Sequence, residues 1–157
     1  LEDIMYKLFS RKINIYLCHI KQFHNFRHDG NGCAIHLINC GIHCNNTVFI
    51  DCVSSSGGGG AIYINVQGNA QVIIDRTTFR SCSGSPCGGA IYLSKLNDEN
   101  TTQISFCNFI NCSVRNLTTD EDLYGGSVYC KLTSRLLLLN RRDILHFPIY
   151  VEIDQQW

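Results

Sequence analysis

Charge is scarce in this chain. Of 157 residues only 17% are charged, against about 25% in ordinary domains. The 13 basic residues balance the 13 acidic ones, so no positive excess is available to a phosphate backbone. That argues against nucleic acid as a partner. Long apolar runs are missing as well. Leu136–Leu139 is among the longest, far short of the about 18 residues a membrane span needs, so no transmembrane segment is expected. No sustained apolar helical period runs between Ala34 and Cys130, which excludes crossover helices there. The chain opens at Leu1 with no start methionine and no leader-and-cleavage pattern. It reads as a fragment or an incomplete gene model, whose missing end could have carried a secretion signal. Its 10 cysteines fall below the share of about 8–10% that marks a disulfide scaffold.

What is present is a repeat. A small-residue turn followed by a strand recurs as Gly32-Cys33-Ala34-Ile35, Gly59-Gly60-Ala61-Ile62, Gly88-Gly89-Ala90-Ile91 and Gly125-Gly126-Ser127-Val128. A second motif interleaves with it: Phe49-Ile50-Asp51-Cys52, Phe79-Arg80-Ser81-Cys82 and Phe109-Ile110-Asn111-Cys112, each 30 residues after the last. A fainter earlier copy runs through Ile13–Leu17 and Phe23-His24-Asn25-Phe26. None of these short units can bury a core alone, whereas stacked units can. Ile62 would lie on Ile91, Phe79 on Phe109 and Cys82 on Cys112, at about 4.8 Å per coil. Ile62 and Ile64 would point inward and Tyr63 outward. The expected fold is all-β: a right-handed parallel β-helix, or solenoid, of about four coils. Residues 1–30 read as a degenerate N-terminal coil or cap, 31–130 as the repeats, and 131–157 as an irregular C-terminal cap or tail. The Gly-Gly spacing drifts from 29 to 37 residues, which predicts protruding loops at Ser94–Gln103 and Val114–Tyr124.

Interleaved GGA[IV] and Phe-x-x-Asn motifs mark the polymorphic outer membrane protein (Pmp) repeats of chlamydiae and similar repeats in surface proteins of parasitic protists. Residues 31–130 resemble them. The chain departs from the chlamydial form in carrying Cys52, Cys82 and Cys112 at the fourth motif place, with Asn111 one place early. The resemblance implies a non-enzymatic secreted or cell-surface module, extracellular in location, active in adhesion or ligand and glycan binding. Its implied partners are host-cell or extracellular-matrix proteins or glycans.

The chemistry-bearing residues are weighed against that reading. Cys52, Cys82 and Cys112 are expected to stack, buried and reduced, because parallel Cβ vectors make poor disulfides. Cys40, Cys44, Cys87 and Cys107 lie off that ladder, and a bridge among them stays open. The cluster Cys18, His19, His24, His28, Cys33, His36, Cys40, His43, Cys44 invites a zinc reading, but its spacing matches no standard site. Corner packing accounts for Cys33, and surface positions suit His36 and His43. Asp120-Glu121-Asp122 reads as a solvated loop, not a calcium site. No metal, cofactor or catalytic set is expected. The alternative is a polysaccharide lyase or hydrolase of the pectate-lyase-like β-helix class, which would need carboxylates clustered on one face. Asp51, Asp75, Asp98 and Glu99 are scattered. Asn-x-Ser/Thr occurs at Asn45, Asn100, Asn111 and Asn116, with Asn111 expected to serve as a turn residue.

Overall fold

The computed structural model describes residues 6–9, 15–17, 21–24, 27–28, 30–66, 70–96, 101–115, 126–132, 138–139 and 149–153. Among these every regular element is a strand, and the strands form four parallel sheets. The first sheet holds β1 (Tyr6–Phe9), β5 (Ile35–Ile38), β9 (Ile62–Asn65), β13 (Ile91–Leu96), β17 (Val128–Leu132) and β19 (Ile149–Ile153). The second holds β2 (Ile15–Leu17), β6 (Ile42–Asn45), β10 (Gln71–Asp75), β14 (Thr101–Ser105) and β18 (Leu138–Leu139). The third holds β3 (Lys21–His24), β7 (Thr47–Ile50), β11 (Thr78–Arg80) and β15 (Asn108–Ile110). The fourth holds β4 (Arg27–His28), β8 (Val53–Ser54), β12 (Ser83–Gly84) and β16 (Ser113–Val114). From β1 to β16 the chain visits the sheets in this order and then returns to the first, so each strand pairs with those one circuit before and after it.

The register follows the repeat. Ile35, Ile62, Ile91 and Val128 are consecutive partners, as are Leu37, Ile64, Leu93 and Cys130. All eight are buried, because alternation along a strand turns every second residue inward. Phe49, Phe79 and Phe109 form a third inward row, with ring centroids 5.0 Å apart and planes within 4° and 6° of parallel. Each such Phe removed from water contributes about 1.5–3 kcal/mol, and the stacking adds about 0.5–1.5 kcal/mol per pair.

Corners are set by backbone conformation. Asn46, Arg76 and Phe106 all have positive φ (49°, 46° and 51°), and so do Asp51, Ser81 and Asn111 (54°, 53° and 53°). These are the two bends on either side of the third sheet, repeated at 30-residue intervals. Asn and Asp tolerate this region better than other residues with a Cβ. At the turn into the first sheet the same need is met by Gly59 and Gly88, with φ of 70° and 61°. The next residues, Gly60 and Gly89, are glycine for a different reason: a Cβ there would run into the carbonyl oxygens of Gly89 and Gly126, one circuit on.

Two sequence expectations need correction. Ser94–Gln103 is not a loop throughout. Ser94 is buried within β13 and Thr102 within β14, while 97–100 lie outside the described residues. In the other predicted loop Val114 belongs to β16, while 116–124 lie outside the described residues. Pairing also runs past both ends of the motif-bearing stretch. β1 pairs with β5, β18 with β14 and β19 with β17, all parallel. Ile149, Val151 and Ile153 take the register positions of Val128, Cys130 and Leu132, although no Gly-Gly turn introduces them. Parallel pairing requires backbone groups and an apolar alternation, not the turn motif.

Candidate binding face

The outward residues of the first sheet form one continuous row. His36, Tyr63, Tyr92 and Tyr129 are successive partners in register. Tyr63 and Tyr92 stack at 4.8 Å and 6°, and Tyr92 and Tyr129 at 4.9 Å and 17°. His36 meets Tyr63 edge-on at 4.8 Å. Lys7 and Tyr150 extend the row by backbone register at its two ends. The cause is local: Ile-Tyr-Ile and Ile-Tyr-Leu put their aliphatics inward and their Tyr outward, and in-register pairing sets like residues one strand spacing apart. Stacking occupies the ring faces, so the row offers ring edges and phenol tips. Tyr63 and Tyr92 are half-buried and Tyr129 is buried. The glycine turns make room for the row, since a Cβ on Gly32 would meet that of Tyr63 at 2.6 Å.

Nine of the sixteen repeat positions lie at or behind this face. Gly59, Gly60, Gly88 and Gly89 make the turns, and the Gly126 carbonyl lies against Gly89. Gly125 lies outside the described residues. Ala61 and Ala90 are buried, and the Ala61 amide donates to the Ala90 carbonyl at 2.9 Å. Ile62 and Ile91 fill the core behind Tyr63 and Tyr92. Phe49, Phe79 and Phe109, with Cys52, Cys82 and Cys112, lie in and beside the third sheet, away from the Tyr row.

Seven of the nine described cysteines are buried, and Cys87 and Cys112 are half-buried; no disulfide joins any of the nine. Cys52 and Cys82 are buried, whereas Cys112 is half-buried, contrary to expectation, because it closes the row at the last strands of the third and fourth sheets. The Cys82 thiol donates to the Phe49 carbonyl at 3.7 Å and the Cys112 thiol to that of Phe79 at 3.5 Å. A hydrogen bond with Cys112 lowers the Cys82 pKa, but its bond with Cys52 and burial outweigh this and leave it at about 12. Hydrogen bonding with Cys82 and burial push Cys112 up as well. Burial alone takes Cys130 to about 12 and is the main cause of the same value at Cys107. Protonated, enclosed thiols are poor nucleophiles and poor metal ligands. A further buried polar row, Thr47, Thr77 and Cys107 at 30-residue spacing, escaped the sequence reading although the spacing was there to find.

Among the described residues, Asp51 and Asp75 stand at different bends. Asp75 accepts a hydrogen bond from the Ser105 hydroxyl at 2.6 Å and from Arg76 at 2.8 Å. Asp51 stands exposed at the bend after the third sheet. Among the described residues no three His, Cys, Asp or Glu side chains come together as a metal site. His36 and His43 face outward and half-buried, on different sheets, while Cys33 donates to the Gly60 carbonyl at 2.6 Å. Among the described residues no helix is long and apolar enough to cross a membrane. Comparisons of the chain with protein-family models, curated proteins and solved structures found no match.

Proposed function

We propose that this chain is a right-handed parallel β-helix of the Pmp-like repeat kind, acting as a non-enzymatic interaction module at a cell surface or in secretion. Its proposed partner is a host-cell or extracellular-matrix protein or glycan. The coil reading draws support from the strand order, in which one circuit through four parallel sheets precedes each return to the first. The right hand follows the general rule for parallel crossovers. The observation that carries the functional reading is the Tyr63–Tyr92–Tyr129 row. Tyrosines held stiffly in a stack lose little entropy on binding, and the half-buried Tyr63 and Tyr92 each offer an apolar edge and a hydroxyl. The rival polysaccharide-cleaving reading calls for paired carboxylates, and Asp75 is instead engaged by Ser105 and Arg76.

The test is binding to arrayed glycans and matrix proteins by the wild-type chain and by Tyr63→Ala/Tyr92→Ala. A specific partner should be found, and the double variant should bind it about tenfold or more weakly, as expected when aromatic anchors are removed. Tyr63→Phe separates the hydroxyl from the stack. Undiminished binding by the double variant would move the site off this face. Release of unsaturated or reducing sugar from a polysaccharide would replace the binding reading with the enzymatic one.

A further inference from the structure

Two of the four Asn-x-Ser/Thr sites have both their Asn and their hydroxyl residue among the described side chains, and the structure treats them oppositely. Asn45 ends β6, and its side-chain oxygen is enclosed without a hydrogen-bond partner. Its companion Thr47 is fully buried, with its hydroxyl donating to the Asn45 carbonyl at 3.1 Å. The hydroxyl that a glycosylating enzyme must engage beside Asn45 is thus enclosed in the folded chain. Asn111 occupies an exposed bend, and Ser113 is also exposed. The positive φ that makes Asn111 a corner residue turns the chain without burying its side chain. It is therefore a turn residue, as the sequence suggested, and an accessible acceptor as well.

We infer that Asn111 carries an N-linked glycan and that Asn45 does not. This rests on the proposal that the chain passes through a secretory pathway. In the transfer, the Asn111 side-chain nitrogen attacks the anomeric carbon of a lipid-linked oligosaccharide. A C–N bond forms, the C–O bond to the polyprenyl pyrophosphate breaks, and the nitrogen loses one proton. The placement has a physical use. Asn111 follows β15, the last strand of the third sheet, and its neighbour Ile110 is 39% exposed, with Phe106 47% exposed at the preceding bend. Unpaired strand edges beside apolar side chains invite pairing with other chains. A bulky hydrophilic group at this bend obstructs that approach. It also leaves the Tyr row, on another sheet, uncovered.

The full chain behind a secretion leader, made in a eukaryotic cell and treated with peptide N-glycosidase, gives the test by peptide mass spectrometry. The Asn111 peptide should show Asn converted to Asp, and the Asn45 peptide should not. Ser113→Ala should abolish the modification without touching the bend, and Asn111→Gly should abolish it while permitting positive φ. Secreted, folded chain with an unmodified Asn111 overturns the proposal, whether or not Asn100 or Asn116 is occupied. Folded chain carrying sugar on Asn45 overturns it too. Labelling of intact source cells with a membrane-impermeant reagent probes surface display separately. Its failure would sink that reading while leaving Asn111 a competent acceptor.

Discussion

The ring of Tyr92 lies so close to Gly58 that a Cβ added there would stand 2.5 Å from its Cδ2 and 2.8 Å from its Cγ. Gly58→Ala should therefore displace the ring and cost about 1–3 kcal/mol, as overpacking does. In a Tyr92→Ala background the same change should cost far less. Urea unfolding of the four proteins measures the coupling. Equal costs in both backgrounds would show that ring and turn do not touch.

Cys82 sits in the middle of its row, fully buried between Cys52 and Cys112. Cys82→Ala should cost roughly 1–3 kcal/mol. Cys82→Asp should abolish folding, because an unpaired carboxylate there costs several kcal/mol or more. Thermal melts of the two variants distinguish them, and a near-wild-type melt for Cys82→Asp would mean an exposed position.

Thr102 is a buried hydroxyl in an apolar row. Its register partner is Val72, whose own partner is Ile42. Its Oγ1 is enclosed without a hydrogen-bond partner. Thr102→Val should stabilise the fold by about 1 kcal/mol, since an unsatisfied buried hydroxyl costs about 1–3 kcal/mol. A lower urea midpoint for the variant would reveal a partner for that oxygen.

Stability should fall in alkali. The thiols of Cys82, Cys107 and Cys130 have folded pKa values of about 12, above the ordinary 9.0. Between these values the unfolded chain loses the protons and the folded chain keeps them. Stability is thus intact below pH 9 and declines as pH rises toward 12, by up to about 1.4 kcal/mol per pH unit for each thiol. Cys130→Val should make the decline shallower in urea titrations under reducing conditions. An unchanged slope would remove Cys130 from the account.

The inward rows were legible because like residues recur at like phase. Ile62 above Ile91 and Phe79 above Phe109 need nothing but alternation and a constant period. Arg76 and Phe106 were not legible as corner residues, since neither favours positive φ. Only their phase with Asn46 reveals the role. β19 was missed because backbone pairing leaves little trace in a sequence without its turn motif. The exposure of Cys112 depends on which strand comes last in its sheet, and the motif does not encode that. Tyr63 was expected to point outward, but that the row stacks and that Tyr129 is buried emerge only from the assembled strands.

Among the described residues the four sheets are unequal: six strands, five, four and four. Beyond β15 and β16 the described strands belong to two sheets instead of four. Protection of backbone amides from solvent exchange should therefore be graded, not uniform. It should peak in β11, paired on both sides by β7 and β15, and fade toward β18 and β19. Opening would then travel inward strand by strand from the thinly supported end. In such a molecule the affinity of a Tyr63-centred face and the lifetime of the C-terminal strands can change independently.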